Sequence, residues 1–256
     1  MPNFDWMDAV AIVVFLAGWV AYSWLNDASP VRRYALSFLM NEQRHHWMRV
    51  MLDRDFRMID TAIMGGLQQG TAFFASACIF AIGGCFALLG SVDRIAAISA
   101  DLPFHGVLEK SLVETKLLGL VAIFAFSFFK FGWAYRLFNY CSILIGAVPM
   151  RNEAVKDPKA AGLALDRAAM MNRLAAMHFN AGLRAIFFGI AYLGWFLGPS
   201  LLIVTTVLTI VILAHRQYFS PAHAVVALSD KDERPSGAGW DWHIEDSSPP
   251  DGGSMM

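Results

Sequence analysis

Charged residues are scarce in this sequence. Asp, Glu, Lys and Arg make up 16% of its 256 residues, whereas a soluble domain usually carries about 25%. Their charges nearly cancel, to a formal net charge of -1, so the net charge gives no support to a nucleic-acid role. We therefore expect no nucleic-acid partner. Hydrophobic residues account for 57% of the chain instead.

Cysteine is also rare, and common catalytic motifs are missing. The three cysteines, Cys78, Cys85 and Cys141, form no CxxC pair, and we interpret them as small hydrophobic residues of membrane helices. The sequence contains no H-E-x-x-H, G-x-S-x-G, P-loop or G-x-G-x-x-G motif. We therefore expect neither an enzyme nor a metal site.

The histidines leave haem as the one alternative for a cofactor. A membrane b-type haem typically needs two axial ligands that face each other from different helices. His178 and His215 both fall near the same end of the predicted spans, but no histidine lies in the middle of an apolar segment. We therefore expect interfacial or core histidines and no cofactor.

Long uncharged runs are what the sequence does have, and one of them covers the 30 residues 185–214. A helix of that length would be about 45 Å long, against a hydrocarbon layer of about 30 Å. Gly198-Pro199 interrupts the run, Arg184 precedes it, and His215-Arg216 follows it. This pattern predicts two short spans joined as a hairpin at Gly198-Pro199. One long kinked helix is the alternative.

Three further apolar segments precede this run, at residues 6–25, 61–89 and 116–137. With the hairpin they predict an all-α, polytopic membrane helix bundle of five spans, or of four with one long kinked helix. Between the first two segments, Trp47, Met48, Met51 and Phe56 follow helical spacing. They predict an amphipathic helix on the cytoplasmic membrane surface.

Lysine and arginine are distributed unevenly between the connections. Residues 26–60 hold six arginines, and residues 138–179 hold three arginines and two lysines. Residues 90–115 hold only Arg94 and Lys110, and the N-terminus holds none. By the positive-inside rule the two basic connections face the cytoplasm. The N-terminus is then expected outside and the C-terminus inside.

The chain divides into two parts by composition. Residues 1–227 form the predicted membrane domain. Residues 228–256 are rich in Pro, Gly, Ser, Asp and Glu, which predicts a disordered acidic tail. Trp240-Asp241-Trp242 is its one hydrophobic point, and it is either a docking motif or part of an unstructured tail.

Three cations lie near the inner ends of the predicted spans, namely Lys130, Arg136 and Arg184. Ionisable groups in spans are costly and usually face a partner or a water-filled cavity. Either they extend to the interface and anchor the helices, or they converge on an anion or lipid head group. For the second case, the candidate ligand-binding residues are Lys130, Arg136, Arg184, Asn139, His178 and Asn180.

Polar side chains also occur at the start of the second segment. Asp60, Gln68 and Gln69 are the candidates for interhelical polar contacts. Gly66 and Gly70 are four residues apart, a spacing that permits close packing of a neighbouring helix.

Three blocks of this sequence resemble the signature blocks of a known family. They are RHHWMRVMLDRDFRMIDTAIM, KLLGLVAIFAFSFFKFGWAYRLFNYCSILIGAVP and HFNAGLRAIFFGIAYLGWFLGP. The family consists of bacterial inner-membrane proteins of unknown function, with distant plant relatives. The resemblance covers about residues 4–222. It implies a bacterial inner-membrane protein, usually with four membrane helices. In such a membrane the outer side expected for the N-terminus is the periplasm, and the cytoplasmic C-terminus follows from the five-span reading of the charges. It supplies no catalytic residues.

Three functions are compatible with the sequence. The first is a binding protein that serves as scaffold, assembly factor or accessory subunit of a membrane complex. The second is an oligomeric transporter or channel for a small anionic solute, because cations lie near a Gly-Pro break. The third is a membrane redox (haem) or lipid-modifying protein. The expected partners are membrane lipids, other membrane-protein subunits or a second copy of the chain.

Overall fold

A computed structural model describes residues 5–92 and 110–227, and it contains helices and no strand within these ranges. A short 3-10 helix, Pro30–Tyr34, follows α1. The α-helices are α1 (Trp6–Asp27), α2 (Leu36–Leu52), α3 (Met58–Leu89), α4 (Lys110–Ala147), α5 (Arg151–Ala154), α6 (Pro158–Tyr192), α7 (Gly194–Leu197), α8 (Pro199–Tyr218) and α9 (Pro221–Ala227). The predicted all-α class is confirmed. The predicted acidic tail, with Trp240-Asp241-Trp242, lies outside the described residues.

Five helical segments are long enough and apolar enough to cross a membrane, as the sequence predicts. They are Trp6–Asp27, Met58–Leu89, Lys110–Ala147, Pro158–Leu197 and Pro199–Ala227. The chain is therefore a multi-pass helix bundle, with five such segments rather than the four implied by the family resemblance. Several of these helices are longer than the hydrocarbon layer is thick. The 38 residues of α4, for example, extend for about 57 Å, against a layer of about 30 Å. These helices continue beyond the apolar layer.

The turn between the last two long segments lies at Gly198. Its φ of 145° is open to glycine and strained for other residues, and Pro199 then begins α8 with a φ suited to a helix start. Beyond the turn, α8 runs back along α6, because Thr205 Oγ1 donates a hydrogen bond to the Ala191 carbonyl at 2.7 Å. Two residues equally distant from Gly198 are thus in contact, which defines an antiparallel hairpin rather than one kinked helix.

An aromatic core holds the membrane part of the bundle together. α4 packs on α3 and on α6, while α1 packs mainly on α8. Phe15 of α1 meets Phe188 and Tyr192 of α6 edge-on, at 5.9 and 5.4 Å between ring centroids. Trp19 stacks on Phe188 at 5.4 Å. These rings join α1 to α6 across the interior.

A second core lies at the end of the bundle where α1 and α8 finish and α6 begins, which we call the basic end. Met48 and Met51 of α2 are fully buried there, together with Phe138 and Cys141 of α4 and Leu165 of α6. The apolar face of α2 was expected to contact the membrane surface. Met48 and Met51 are instead covered by protein, because α6 packs against α2 and both methionines join a core that includes residues of α4. Phe56 lies beyond the end of α2 and is 81% exposed.

Candidate functional site

Two aspartates lie near the opposite ends of α1. They are 19 residues apart, about 28 Å along a helix and close to the thickness of the hydrocarbon layer. Asp8 accepts a hydrogen bond from Trp195 Nε1 at 2.6 Å. Asp27 forms an ion pair with the guanidinium of Arg184. Their separation matches that thickness, and the two positions are named below the Asp8 level and the Asp27 level.

A buried polar cluster occupies the Asp8 level. Asp8 is 6% exposed and Lys116 is 3% exposed. The Lys116 ammonium donates to the Trp195 carbonyl at 2.7 Å and lies 5.0 Å from the centroid of the indole ring. The cluster joins α1, α4 and α7. Sequence reasoning missed it, because nothing local to these three positions indicates that they meet.

A basic cleft of about 270 Å³ opens near the Asp27 level, between α1, α2, α6 and α8. Its lining contains three arginines and no acidic residue. The polar lining residues that matter here are Arg44, Arg184, Arg216, Asn26, Asn180 and Gln217. Because α2 folds back over the ends of the spans, a cation from the connection meets cations from two membrane helices.

The wall of the basic cleft changes character with depth. On each of three helices, a polar lining residue is followed one turn further into the apolar layer by a larger, more apolar one. The pairs are Asn26 with Tyr22 on α1, Arg184 with Phe187 on α6, and Gln217 with Leu213 on α8. A ligand in this cleft therefore meets charge and amides first, then rings and aliphatic groups.

The positive charge of the cleft is only partly neutralised. Arg184 pairs with Asp27, but Arg44 and Arg216 form no ion pair with any residue that the structure describes. Burial lowers the pKa of the Arg44 guanidinium from its ordinary value, yet an arginine keeps its proton in proteins. Arg44 is half-buried and donates to Asn41 Oδ1 at 3.4 Å, and Arg216 is exposed, with its guanidinium 5.9 Å from the centroid of the Phe187 ring. Two cations without an acidic partner favour binding of an anion.

The six predicted ligand-binding residues do not form one site. Arg184 and Asn180 line the basic cleft. Lys130 lies over the Phe126 ring with its ammonium 5.2 Å from the centroid, and Arg136 Nε donates to the Tyr140 hydroxyl at 2.6 Å. The lining of the basic cleft includes neither Lys130 nor Arg136.

His178 lies near Lys130 and Arg136, because its ring is 6.4 Å from the Trp133 ring, Arg136 lies 5.9 Å from the centroid of that same ring, and the Lys130 charge acts on the imidazole. The structure therefore brings these three predicted residues together, away from the basic cleft. Asn139 accepts a hydrogen bond from Gln68 at 2.9 Å. Sequence reasoning missed Arg44 and Arg216 as site residues. Arg216 was recognisable as the partner of Arg184 across the hairpin, whereas only the packing of α2 reveals Arg44.

The three polar residues predicted to join helices differ in their surroundings. Asp60 is fully buried and accepts from Trp47 Nε1 at 2.6 Å and from Arg54 Nη1 at 2.5 Å. These contacts connect the start of α3 to α2 and to the loop between them. Gln68 connects α3 to α4, since its amide also donates to Ser142 Oγ at 3.0 Å. Gln69 is exposed on the surface of α3.

The described residues contain no group of three or more His, Cys, Asp or Glu side chains that could hold a metal ion. The two histidines considered for haem pack against different rings. His178 lies beside Trp133, and His215 lies 6.4 Å from Phe219.

The helix count, the hairpin and the polar contacts at the Asp8 and Asp27 levels define a multi-pass helical membrane protein. The family described as "Protein of unknown function, DUF599" matches residues 10–222. The chain belongs to this family, which confirms the resemblance found in its three sequence blocks. No curated protein and no solved structure matches the chain.

Proposed function

We propose that the protein is a membrane-embedded binding protein whose basic cleft holds the phosphate of an anionic lipid. The observation that carries this proposal is the pair Arg44 and Arg216. Both line the cleft without an acidic partner among the described residues, and apolar groups lie one turn deeper. Arginine recognises phosphate through its planar fork of donors. A lipid supplies both the anion and the apolar part that such a wall fits.

The size of the cleft supports a head group as the bound part. Its volume of about 270 Å³ equals that of about nine water molecules in the liquid. This accommodates a phosphate with a few attached atoms and not a whole lipid. The acyl chains would leave past Phe187 and Leu213 toward the bilayer.

The expected membrane orientation forms part of the proposal. In the described residues, the basic end carries most of the arginines, whereas Lys110 and Lys116 lie toward the opposite end. The positive-inside rule then supports a cytoplasmic basic end in a bacterial inner membrane, with a periplasmic N-terminus and a cytoplasmic C-terminus. Anionic lipids of the cytoplasmic leaflet would reach the cleft directly.

We further propose that the chain acts as a scaffold, assembly factor or accessory subunit. α3 supports this role, because it packs almost entirely on α4 and exposes Phe73 and Phe80. Purification in a mild detergent should then retain a stoichiometric partner or a second copy. A monodisperse single chain would contradict this role and leave the lipid proposal intact. The alternative of anion transport has less support, because Lys130 does not line the basic cleft with Arg184.

Binding of a soluble lipid tests the proposed function. Dihexanoyl-phosphatidylglycerol is titrated into the purified full chain, with dihexanoyl-phosphatidylcholine and inorganic phosphate as separate ligands. We expect the phosphatidylglycerol to bind most tightly. In the double variant Arg44→Gln/Arg216→Gln its Kd should rise at least about tenfold, because each charge-assisted hydrogen bond contributes about 1.5–3 kcal/mol.

The matched control removes two charges from the same end of the bundle. Arg33 and Lys159 are exposed and lie outside the cleft lining, so Arg33→Gln/Lys159→Gln should bind like the unmodified protein. Equal weakening in both double variants would mean that general surface charge attracts the lipid. Equal affinity for phosphatidylglycerol and inorganic phosphate would mean that the cleft recognises a free anion.

A further inference from the structure

A second and larger cleft lies between α1 and α4, and we call it the lateral cleft. Its volume is about 770 Å³, within the range typical of small-molecule sites. Aromatic rings dominate its lining, which includes Phe15, Trp19, Phe126, Tyr192 and Trp195. The lining extends from Trp195, near the Asp8 level, to Asp27 itself, so the cleft opens toward the hydrocarbon layer.

The hydroxyl of Tyr192 is the unusual group in this cleft. Tyr192 is 6% exposed, and Phe15 and Trp195 hold its ring edge-on, each at 5.4 Å. The oxygen lies so close to the backbone of Gly119, another lining residue, that a Cβ at position 119 would overlap it. Within the described residues this hydroxyl has no hydrogen-bond partner. Its oxygen is not among the fully buried polar atoms, so a ligand in the cleft can reach it. Tyrosine hydroxyls in such surroundings usually have a partner.

We propose that the lateral cleft binds the ring of a lipid-soluble quinone, whose carbonyl oxygen accepts a hydrogen bond from the Tyr192 hydroxyl. Three observations select this ligand class. Entry from the hydrocarbon layer requires a molecule that dissolves in lipid. The ring lining favours a flat ring, because aromatic groups pair in offset or edge-on geometry, as Trp19 and Phe126 do at 5.6 Å. The Tyr192 hydroxyl has no partner and can donate a hydrogen bond to an acceptor on the ligand, which a plain acyl chain lacks.

This site is independent of the basic cleft. The two clefts share no lining residue, and the proposal concerns binding alone, without a redox step. Loss of phosphatidylglycerol binding would leave it unchanged, and loss of quinone binding would leave the lipid proposal unchanged.

Quenching of tryptophan fluorescence by decylubiquinone tests the proposal. The oxidised quinone is titrated into the full chain in phosphatidylcholine nanodiscs, where we expect saturable quenching. In Tyr192→Phe the Kd should rise about fivefold, the effect expected for one hydrogen bond. Ala122 lines the cleft and is exposed, so the ring of Ala122→Phe should obstruct the place of the quinone ring beside Gly119 and weaken the saturable quenching.

The control variant is Ala87→Phe, which adds the same ring to an exposed position on α3. It should bind like the unmodified protein, and circular dichroism should show the same thermal unfolding for all variants. An unchanged Kd in Tyr192→Phe would overturn the proposal. So would equally effective competition by decane, which would identify the lateral cleft as a groove for any hydrocarbon chain.

Discussion

Replacing Asp60 by alanine tests how the basic end of the bundle is held together. Its carboxylate is fully buried and accepts from Trp47 at 2.6 Å and from Arg54 at 2.5 Å. Asp60→Ala would leave the N–H of the half-buried Trp47 indole without its partner, at a cost toward the low end of the range of about 1–3 kcal/mol for a buried donor. It would also remove a charge-assisted hydrogen bond to Arg54, worth about 1.5–3 kcal/mol in a buried pair.

The second contribution belongs at the low end of its range. The Arg54 side chain is 32% exposed, so water can solvate the guanidinium after the carboxylate is removed. We expect a total loss of about 3 kcal/mol, a large fraction of the stability of an ordinary domain. Asp60→Asn keeps an oxygen acceptor near Trp47 and should lose about half as much.

The free energy of unfolding can be measured by titrating dodecyl sulfate into mixed micelles and following tryptophan fluorescence and circular dichroism. Asp55 is the control, because it is exposed in the same loop, and Asp55→Ala should change stability by less than about 0.5 kcal/mol. If Asp60→Ala behaved like this control, the buried contacts would contribute nothing and the reasoning would be refuted.

Two further substitutions test the ends of the long helices. Arg57 donates three hydrogen bonds to backbone carbonyls at and just beyond the end of α4. Arg57→Ala should therefore lower the free energy of unfolding by about 2–4 kcal/mol, whereas Arg151→Ala, at an exposed site nearby, should change it by less than about 0.5 kcal/mol. Gly198 has open space around it and a φ of 145°, so Gly198→Ala should cost about 1–3 kcal/mol from backbone strain alone. Gly83 has equal space within a helix, and Gly83→Ala should raise stability by about 0.5–1 kcal/mol. Equal effects at both glycines in thermal unfolding would contradict the structural basis of the turn.

The sequence predicts the arrangement of the helices only where its local patterns are strong. Five apolar segments can be predicted because each is hydrophobic over about the length of a bilayer and holds few charges. The hairpin can be predicted because a Gly-Pro pair lies midway between two cationic flanks. The hydrogen bond between Thr205 and Ala191 in the structure agrees with this prediction. The lengths of α4 and α6 are harder to predict from the sequence, because outside the apolar layer their sequences resemble those of ordinary surface helices.

The site was predictable only in part, for a similar reason. Arg184 and Asn180 attract attention as polar residues beside a long apolar run. Arg44 lies in α2, whose sequence predicts a helix on the membrane surface. Its position in the cleft depends on how α2 packs against the other helices. Tyr192 is one of six tyrosines in the sequence, and the sequence does not set it apart from the other five. Only the structure shows that its hydroxyl lies against the backbone of Gly119.

The central claim is that Arg44 and Arg216 bind a lipid phosphate, and a density map of the lipid complex tests it most directly. The full chain would be imaged by electron microscopy in nanodiscs that contain phosphatidylglycerol, with a bound antibody fragment to aid alignment. We predict head-group density in the basic cleft, with phosphate oxygens about 2.7–2.9 Å from the guanidinium nitrogens of both arginines. An empty cleft, with ordered phosphate at Lys130 and Arg136 instead, would contradict the claim.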